Sequence, residues 1–346
     1  MNLFQQQEAN RRRSRWLVLG FIIFFAWLGF GGDWIAYELT LPDPAAPTSD
    51  GYRHTFPWFG LALGAIAAGL AWQAWRSGAD AVLWSAGALE ILSPANDAQA
   101  QYVNVVEEMA IAAGVPRPRV FIVRDRDPNA FATGRSPDDG RVAVTVGLLA
   151  LCTRDELQGI IGHEIAHIRN HDVRLMTLLA GLLGAVALVS DGLGRALRHD
   201  GPQTVGRAAR GLGRRGKGMG PLLPIVIAVW LASWFLAPLI SRLLALGVSR
   251  KREYLADAMS AQFTRNPMAL ASALHKIEAA ADPTSSIRHG AAHLCIADPL
   301  GRRASVKEGR LADFFGTHPP MALRVARLKA MAYRAIKERS TPAPAA

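Results

Sequence analysis

The stretch Ile160-Ile161-Gly162-His163-Glu164-Ile165-Ala166-His167-Ile168-Arg169-Asn170 decides how this 346-residue chain is read. It contains H-E-x-x-H, with apolar residues on the other side of the same turns. On a helix, His163 and His167 fall on one face, one turn apart. Two imidazoles so placed can hold one zinc ion, and Glu164 can take a proton from a zinc-bound water. The motif is short. A surface helix with two histidines and a solvated glutamate would look the same, so the rest of the chain has to separate the two readings.

Working outward, Thr153 is expected to cap this helix, with Glu156 three residues on completing a capping box. Upstream, Arg141 to Val146 and Val120 to Val123 predict strands. Pro137-Asp138-Asp139-Gly140 lies just before the later strand, and Asp127 to Gly134 reads as turn-rich. Asn96 to Ala113 predicts an amphipathic helix burying Tyr102, Val105, Val106, Met109 and Ala113. Gly114 ends it, and Pro116 and Pro118 block a restart. Residues 78–92 carry no clear pattern. Downstream, one helical pattern runs from Arg250 to about Ala281, and residues 282–312 are irregular. Thr317-His318-Pro319-Pro320 then precedes a last amphipathic helix from Met321 to about Arg339.

Half of the residues are hydrophobic, and they come in blocks, as in a membrane protein. The apolar runs are Trp16 to Ala36, broken by Asp33, then Pro57 to Trp75, Leu175 to Ser190, and Pro221 to Leu246. About 20 apolar residues span a bilayer as a helix. The first run is too long for a signal-peptide core and reads as a retained anchor. Arg11, Arg12, Arg13 and Arg15 precede it, and from Asp33 to Phe56 the chain carries Asp33, Glu38, Asp43 and Asp50 against Arg53, which places the N-terminus in the cytoplasm. The formal net charge is +11. The expected acidic partner is a bilayer with anionic head groups rather than nucleic acid. The Gly/Arg-rich segment 195–220 reads as a flexible linker or as a contact for those head groups. Cys152 and Cys295 lack metal-ligand spacing and read as small hydrophobes. His289 and His293, four apart without an acidic partner, read as structural.

A catalytic zinc usually takes three protein ligands. His171 stands about 6 Å further along the helix axis than His167, too far for one ion to meet all three histidines. Asn170 and Val173 stand where a metzincin needs Gly and His, which excludes that class. If the third and fourth runs form an antiparallel hairpin, their cytoplasmic ends lie near Leu175 and Leu246. His167 then lies eight residues before one end and Glu253 seven after the other. Both stand about 11–12 Å from the membrane edge. Glu253 is therefore the expected third ligand. Asp257, one turn on, is expected to accept the other ring N–H of a ligating histidine. The competing reading is a solvated charged face beside Arg250 and Arg252.

These residues resemble the HtpX-like membrane zinc metalloproteases, relatives of the C-a-a-X prenyl proteases. The likeness runs from about Ile91 to Ala330. It rests on Asn129-Ala-Phe-Ala-Thr-Gly134, Val142-Ala-Val-Thr145, Arg154-Asp-Glu-Leu157, His163-Glu-Ile-Ala-His167 with Asn170 and Asp172, Glu253-Tyr-Leu-Ala-Asp257, Ala292-His-Leu294, and Thr317-His-Pro-Pro320 with Arg324. The resemblance implies zinc held by His163, His167 and Glu253, one ion per chain, with Glu164 as the catalytic base. It also brings His318 or Arg324 near the site as the oxyanion donor. In two respects the chain departs from expectation: the loop joining the first two spans is longer than in the simplest members, and the Gly/Arg-rich segment is unusual in sign. If runs three and four both cross, residues 195–220 lie outside, against the positive-inside rule.

The fold expected is a mostly α membrane protein: a zincin-like catalytic domain with a small β-sheet over the H-E-x-x-H helix, and about four hydrophobic helices. Residues 1–80 form an N-terminal transmembrane hairpin. Residues 81–340 form the metalloprotease domain, interrupted by a hydrophobic hairpin at about 175–246, and 341–346 is a disordered tail. The strand residues Val142, Ala143, Val144 and Thr145 are expected to offer an edge to an extended substrate. The function expected is zinc-dependent hydrolysis of misfolded or membrane proteins, in quality control under stress, at the cytoplasmic side of the inner membrane. The rivals are a processing protease for lipidated C-termini and a non-catalytic membrane scaffold. The oligomeric state is left open.

Overall fold

The computed structural model describes residues 3–40, 56–182, 228–230, 232–233, 250–280, 294–296 and 319–340. In chain order its elements are α1 (Leu3–Thr40), α2 (Trp58–Ser85), β1 (Ala88–Glu90), α3 (Asp97–Ala113), β2 (Arg119–Val123), β3 (Ala130–Thr133), β4 (Arg141–Thr145), α4 (Val146–Leu151) and α5 (Arg154–Arg169). Then follow α6 (172–182), α7 (Arg250–Thr264), α8 (Pro267–Ala279) and α9 (Met321–Ser340).

The described residues fall into two compact units. One holds 3–14, 75–181, 250–280, 294–296 and 319–340. The other holds 15–40, 56–74 and the short pieces at 182, 228–230 and 232–233.

Local chemistry sets the helix ends in the first unit. The Thr153 hydroxyl accepts from the Glu156 N–H, and the Glu156 carboxylate accepts from the Thr153 N–H at 2.8 Å, the capping box expected for α5. Asn96 caps α3, and Gly114 closes it in the left-handed region at φ 66°. Tyr102, Val105, Val106, Met109 and Ala113 face the core, as the periodicity predicts. The helical pattern predicted from Arg250 onward splits in two. Arg265 turns left-handed at φ 52°. Pro267 brings no N–H, and Asn266 caps a new helix.

The sheet has the order β1-β2-β4-β3. β2 and β4 run parallel, and β1 and β3 flank them antiparallel. Two expectations change here. Ala130–Thr133 is a strand, not a turn: its four residues are buried and pair in register with β4. Val142, Ala143, Val144 and Thr145 lie inside the sheet, not at its edge. β2 takes one hydrogen-bonding side of β4 and β3 takes the other, so no edge is left for a substrate. The sheet's outer strand on this side is β3. There Phe131 bridges Cys295 antiparallel, and the Ile296 N–H donates to the Ala130 carbonyl at 2.9 Å.

Helix α5 packs against α3, α7, α8 and β3 and sends Ile160, Ile161, Ile165 and Ile168 into the core. Gly159 lets α8 come close: a Cβ there would lie 3.0 Å from the backbone N and Cα of Leu270. Ser260 on α7 locks the same turn, donating to the Gly159 carbonyl at 2.6 Å. Gly159→Leu is expected to destabilise this unit by about 3 kcal/mol, the upper end of overpacking costs. Thermal unfolding in detergent, followed by circular dichroism, checks it. An unchanged midpoint would mean that α8 can withdraw.

In the second unit, α1 and α2 meet through small residues. A Cβ on Gly29 would lie 2.7 Å from Gly60 Cα, the close approach that small residues permit between membrane helices. Asp33, the one break in the first apolar run, is buried. Its carboxylate accepts from the N–H groups of Phe59 and Gly60, at 3.2 and 2.5 Å. These belong to the first turn of α2, where donors lack helical partners. Trp230 Nε1 donates to the Leu28 carbonyl at 2.8 Å. Stretches of 28 residues, Glu8–Ile35 and Trp58–Ser85, are long and apolar enough to cross a bilayer. Trp16, Ile23, Trp27, Trp58, Phe59 and Trp72 on them are exposed.

The first part of the third apolar run lies in α6. The rest of it, most of the fourth run, segment 195–220, His289, His293, His318 and the tail lie outside the described residues. The expected number of four hydrophobic helices rests partly on those segments.

Candidate metal centre

His163 and His167 stand one turn apart on α5, both buried, with their ring centroids 4.7 Å apart. Their Nε2 atoms approach to 3.2 Å. Glu253, in the first turn of α7, places Oε1 3.5 Å from His167 Nε2 and Oε2 3.6 Å from His163 Nε2. One donor atom from each of the three lies within 4.8 Å of the others. Tetrahedral donors with bonds of about 2 Å to a common ion are separated by about 3.3 Å. The spacing therefore suits one small divalent ion.

The outer nitrogens explain why these donors converge. Asp257, one turn beyond Glu253 on α7, places Oδ1 2.9 Å from His163 Nδ1. Asp172, the first residue of α6, places Oδ2 3.0 Å from His167 Nδ1. A ring that donates Nδ1–H to a carboxylate keeps the Nε2 lone pair for a metal. Two such lone pairs 3.2 Å apart repel each other unless a cation lies between them. The donor set thus fits a metal, and two neutral imidazoles with a carboxylate form a set typical of zinc.

The electrostatics agree. Burial and the Arg324 guanidinium both lower the basicity of His163, but Asp257 and Glu253 outweigh them and lift its pKa to about 9. A cluster that pulls so strongly on a proton is short of positive charge. Burial pushes the Glu164 carboxyl upward, against the pull of the two imidazoles. Asp257 goes the other way. Burial raises it, yet Arg324 and His163 hold it down to about 2.

Arg324, expected to donate to an oxyanion, is committed elsewhere. It is fully buried. Nε and NH2 donate to the two oxygens of Asp257 at 2.9 and 2.6 Å. NH1 donates to the Ile296 carbonyl at 3.3 Å and lies 3.7 Å from Glu253 Oε2. All three nitrogens are thus engaged by the protein, and Arg324 clamps the Asp257 carboxylate beside Glu253.

His171 is no part of the cluster. It follows the end of α5 in the left-handed region at φ 58°, with Nε2 3.2 Å from an Arg11 nitrogen. The structure therefore brings together His163, Glu164, His167, Glu253, Asp257 and Arg324. It leaves Val142 to Thr145 inside the sheet, and His318 lies outside the described residues.

The sequence reading assigned no part to Asp172. Its position five residues after His167, just past a helix end, was the available signal, because a chain that turns there can bring a carboxylate back to the ring. Asn10 had no such signal, since it meets this turn across 160 residues.

Residues 96–332 match the sequence pattern of peptidase family M48. The chain belongs to this family. A Protease HtpX homolog of Leuconostoc citreum is 35% identical over 331 residues, covering 95% of this chain and 100% of the relative. One of Streptococcus gordonii is 35% identical over 335 residues, again 95% and 100%. One of Thermoanaerobacter pseudethanolicus is 40% identical over 262 residues, 75% of this chain and 80% of the relative. This M48 chain is thus a metalloprotease, and its two long, exposed apolar helices make it a membrane one. Neither the scaffold reading nor the lipidated-C-terminus reading is favoured by these relatives.

Proposed function

We propose that this M48 chain is a zinc endopeptidase that cleaves misfolded or membrane proteins from the cytoplasmic face of the inner membrane, as part of protein quality control. His163, His167 and Glu253 hold one zinc per chain. The chain crosses the membrane several times, through about four hydrophobic helices, and its basic segments meet anionic head groups. The observation that carries this reading is the convergence of the two Nε2 atoms and the Glu253 carboxylate, with each Nδ1 turned to its own aspartate.

When bound, zinc supplies Lewis acidity toward a peptide carbonyl and toward water. The chain's own groups do the rest. Glu164 accepts a proton from the attacking water and returns it to the leaving amine. Its burial favours the first half of that task, because a carboxylate with raised basicity takes the proton more readily. Asp257 and Asp172 fix the tautomer and plane of His163 and His167. Arg324 holds Asp257 and balances the excess negative charge.

Glu253→Ala tests the ligand set. The purified full-length variant should bind zinc at least ten-fold more weakly than the parent, measured by chelator competition, and should fail to cleave an unfolded model protein. Unchanged zinc affinity would move the third ligand elsewhere.

A further inference from the structure

The start of α1 carries a side chain that reaches the support of the metal centre. Asn10 is 1% exposed, although Arg11, Arg12 and Arg13 beside it face outward. Its Nδ2 donates to Asp172 Oδ1 at 2.7 Å and to the Asn170 carbonyl at 3.2 Å. Arg252 NH1 approaches the same Oδ1 at 3.4 Å. The other oxygen, Oδ2, faces His167 Nδ1 at 3.0 Å. Asp172 itself is fully buried. A buried carboxylate of this kind is oriented by the donors on its far oxygen. Here the shorter of the two bonds comes from Asn10.

The amide orientation is settled by its partners. Reversing it would bring the Asn10 oxygen against a carboxylate oxygen and a carbonyl oxygen, both acceptors.

We propose that Asn10 is a positioning residue of the metal centre: through Asp172 it sets the ring plane and tautomer of His167. The idea rests on the reading of His163, His167 and Glu253 as metal ligands. It goes beyond that reading by making metal binding depend on the segment that leads into the first apolar helix. Asn10 lies six residues before Trp16, where the first apolar run begins, about 9 Å along the helix axis. Docking of this turn and the quality of the metal centre are therefore one property. A carboxylate partner of a ligating histidine is typically worth about 10- to 100-fold in metal affinity. A residue acting through that carboxylate should account for the lower part of the range.

The test uses the full-length chain in detergent, loaded with zinc for affinity and with cobalt for its visible absorption spectrum. Asn10→Ala should weaken zinc binding about ten-fold and shift the cobalt bands, which report ligand geometry. Asn10→Asp sets a second carboxylate against Asp172 and should weaken binding further. Arg11→Ala removes another contact of the same segment, the one to His171, and should leave affinity within about two-fold.

Parent-like affinity and cobalt spectrum in Asn10→Ala would overturn the proposal. So would equal losses in Asn10→Ala and Arg11→Ala, which would indicate general docking alone. Should Asn10→Ala fold poorly, Asn10→Asp, which keeps the size and shape of the side chain, decides, and parent-like affinity in it overturns the proposal. Failure of the underlying metal reading looks different, because Glu253→Ala would then bind zinc like the parent.

Discussion

Glu164→Gln is expected to cut peptide hydrolysis by roughly 10²- to 10⁴-fold while the protein keeps its zinc. The amide matches the carboxylate in size and shape, so the packing around α5 should survive. What is lost is proton affinity, because an amide oxygen cannot take the proton of an attacking water. Zinc should stay because the converging donors are His163, His167 and Glu253, and Glu164 is not among them. Two measurements on one preparation decide: cleavage of an unfolded model protein and metal content. Turnover near the parent's would end the role of Glu164 as base. A loss of zinc alongside the loss of activity would mean that Glu164 also supports the ion.

How much of this was legible beforehand depended on distance along the chain. The capping box of α5 and the buried face of α3 are local patterns, and both appear as read. Glu253 was placed from the lengths of two apolar runs, and it does stand beside the two imidazoles. Most of the hairpin behind that argument lies outside the described residues. Strand β3 was missed because alanines dominate it. Alanine has little intrinsic preference for a strand, and pairing with β4 decides the matter. The error over Val142 to Thr145 has the same root. A strand's place in a sheet depends on partners far away in sequence, here a parallel β2 and a β3 that the reading had taken for a turn. The Arg324 clamp and the Asn10 contact were invisible for the same reason, since each joins residues more than 60 positions apart.

The other large effect is on stability. Arg324→Ala should destabilise the catalytic unit by about 3–5 kcal/mol, because it leaves one member of a buried ion pair without its partner. Asp257 is 2% exposed and accepts two parallel N–H bonds from Arg324. Without them, among the described residues, its charge keeps only the His163 Nδ1–H. For a unit of this size the melting midpoint should fall by about 10 °C. Arg324→Lys retains the charge but not the planar fork, so it should fall between parent and alanine. The sign with pH follows from the Asp257 carboxyl, held down to about 2. Its contribution is full above about pH 4 and is lost as pH falls toward 2. The difference in midpoint between parent and Arg324→Ala should therefore shrink in acid. Measuring both proteins after chelation separates the clamp from the metal. A midpoint difference that persists without zinc belongs to the ion pair. One that vanishes on chelation would mean that Arg324 acts only through the bound ion, and that the Asp257 pair contributes little of its own.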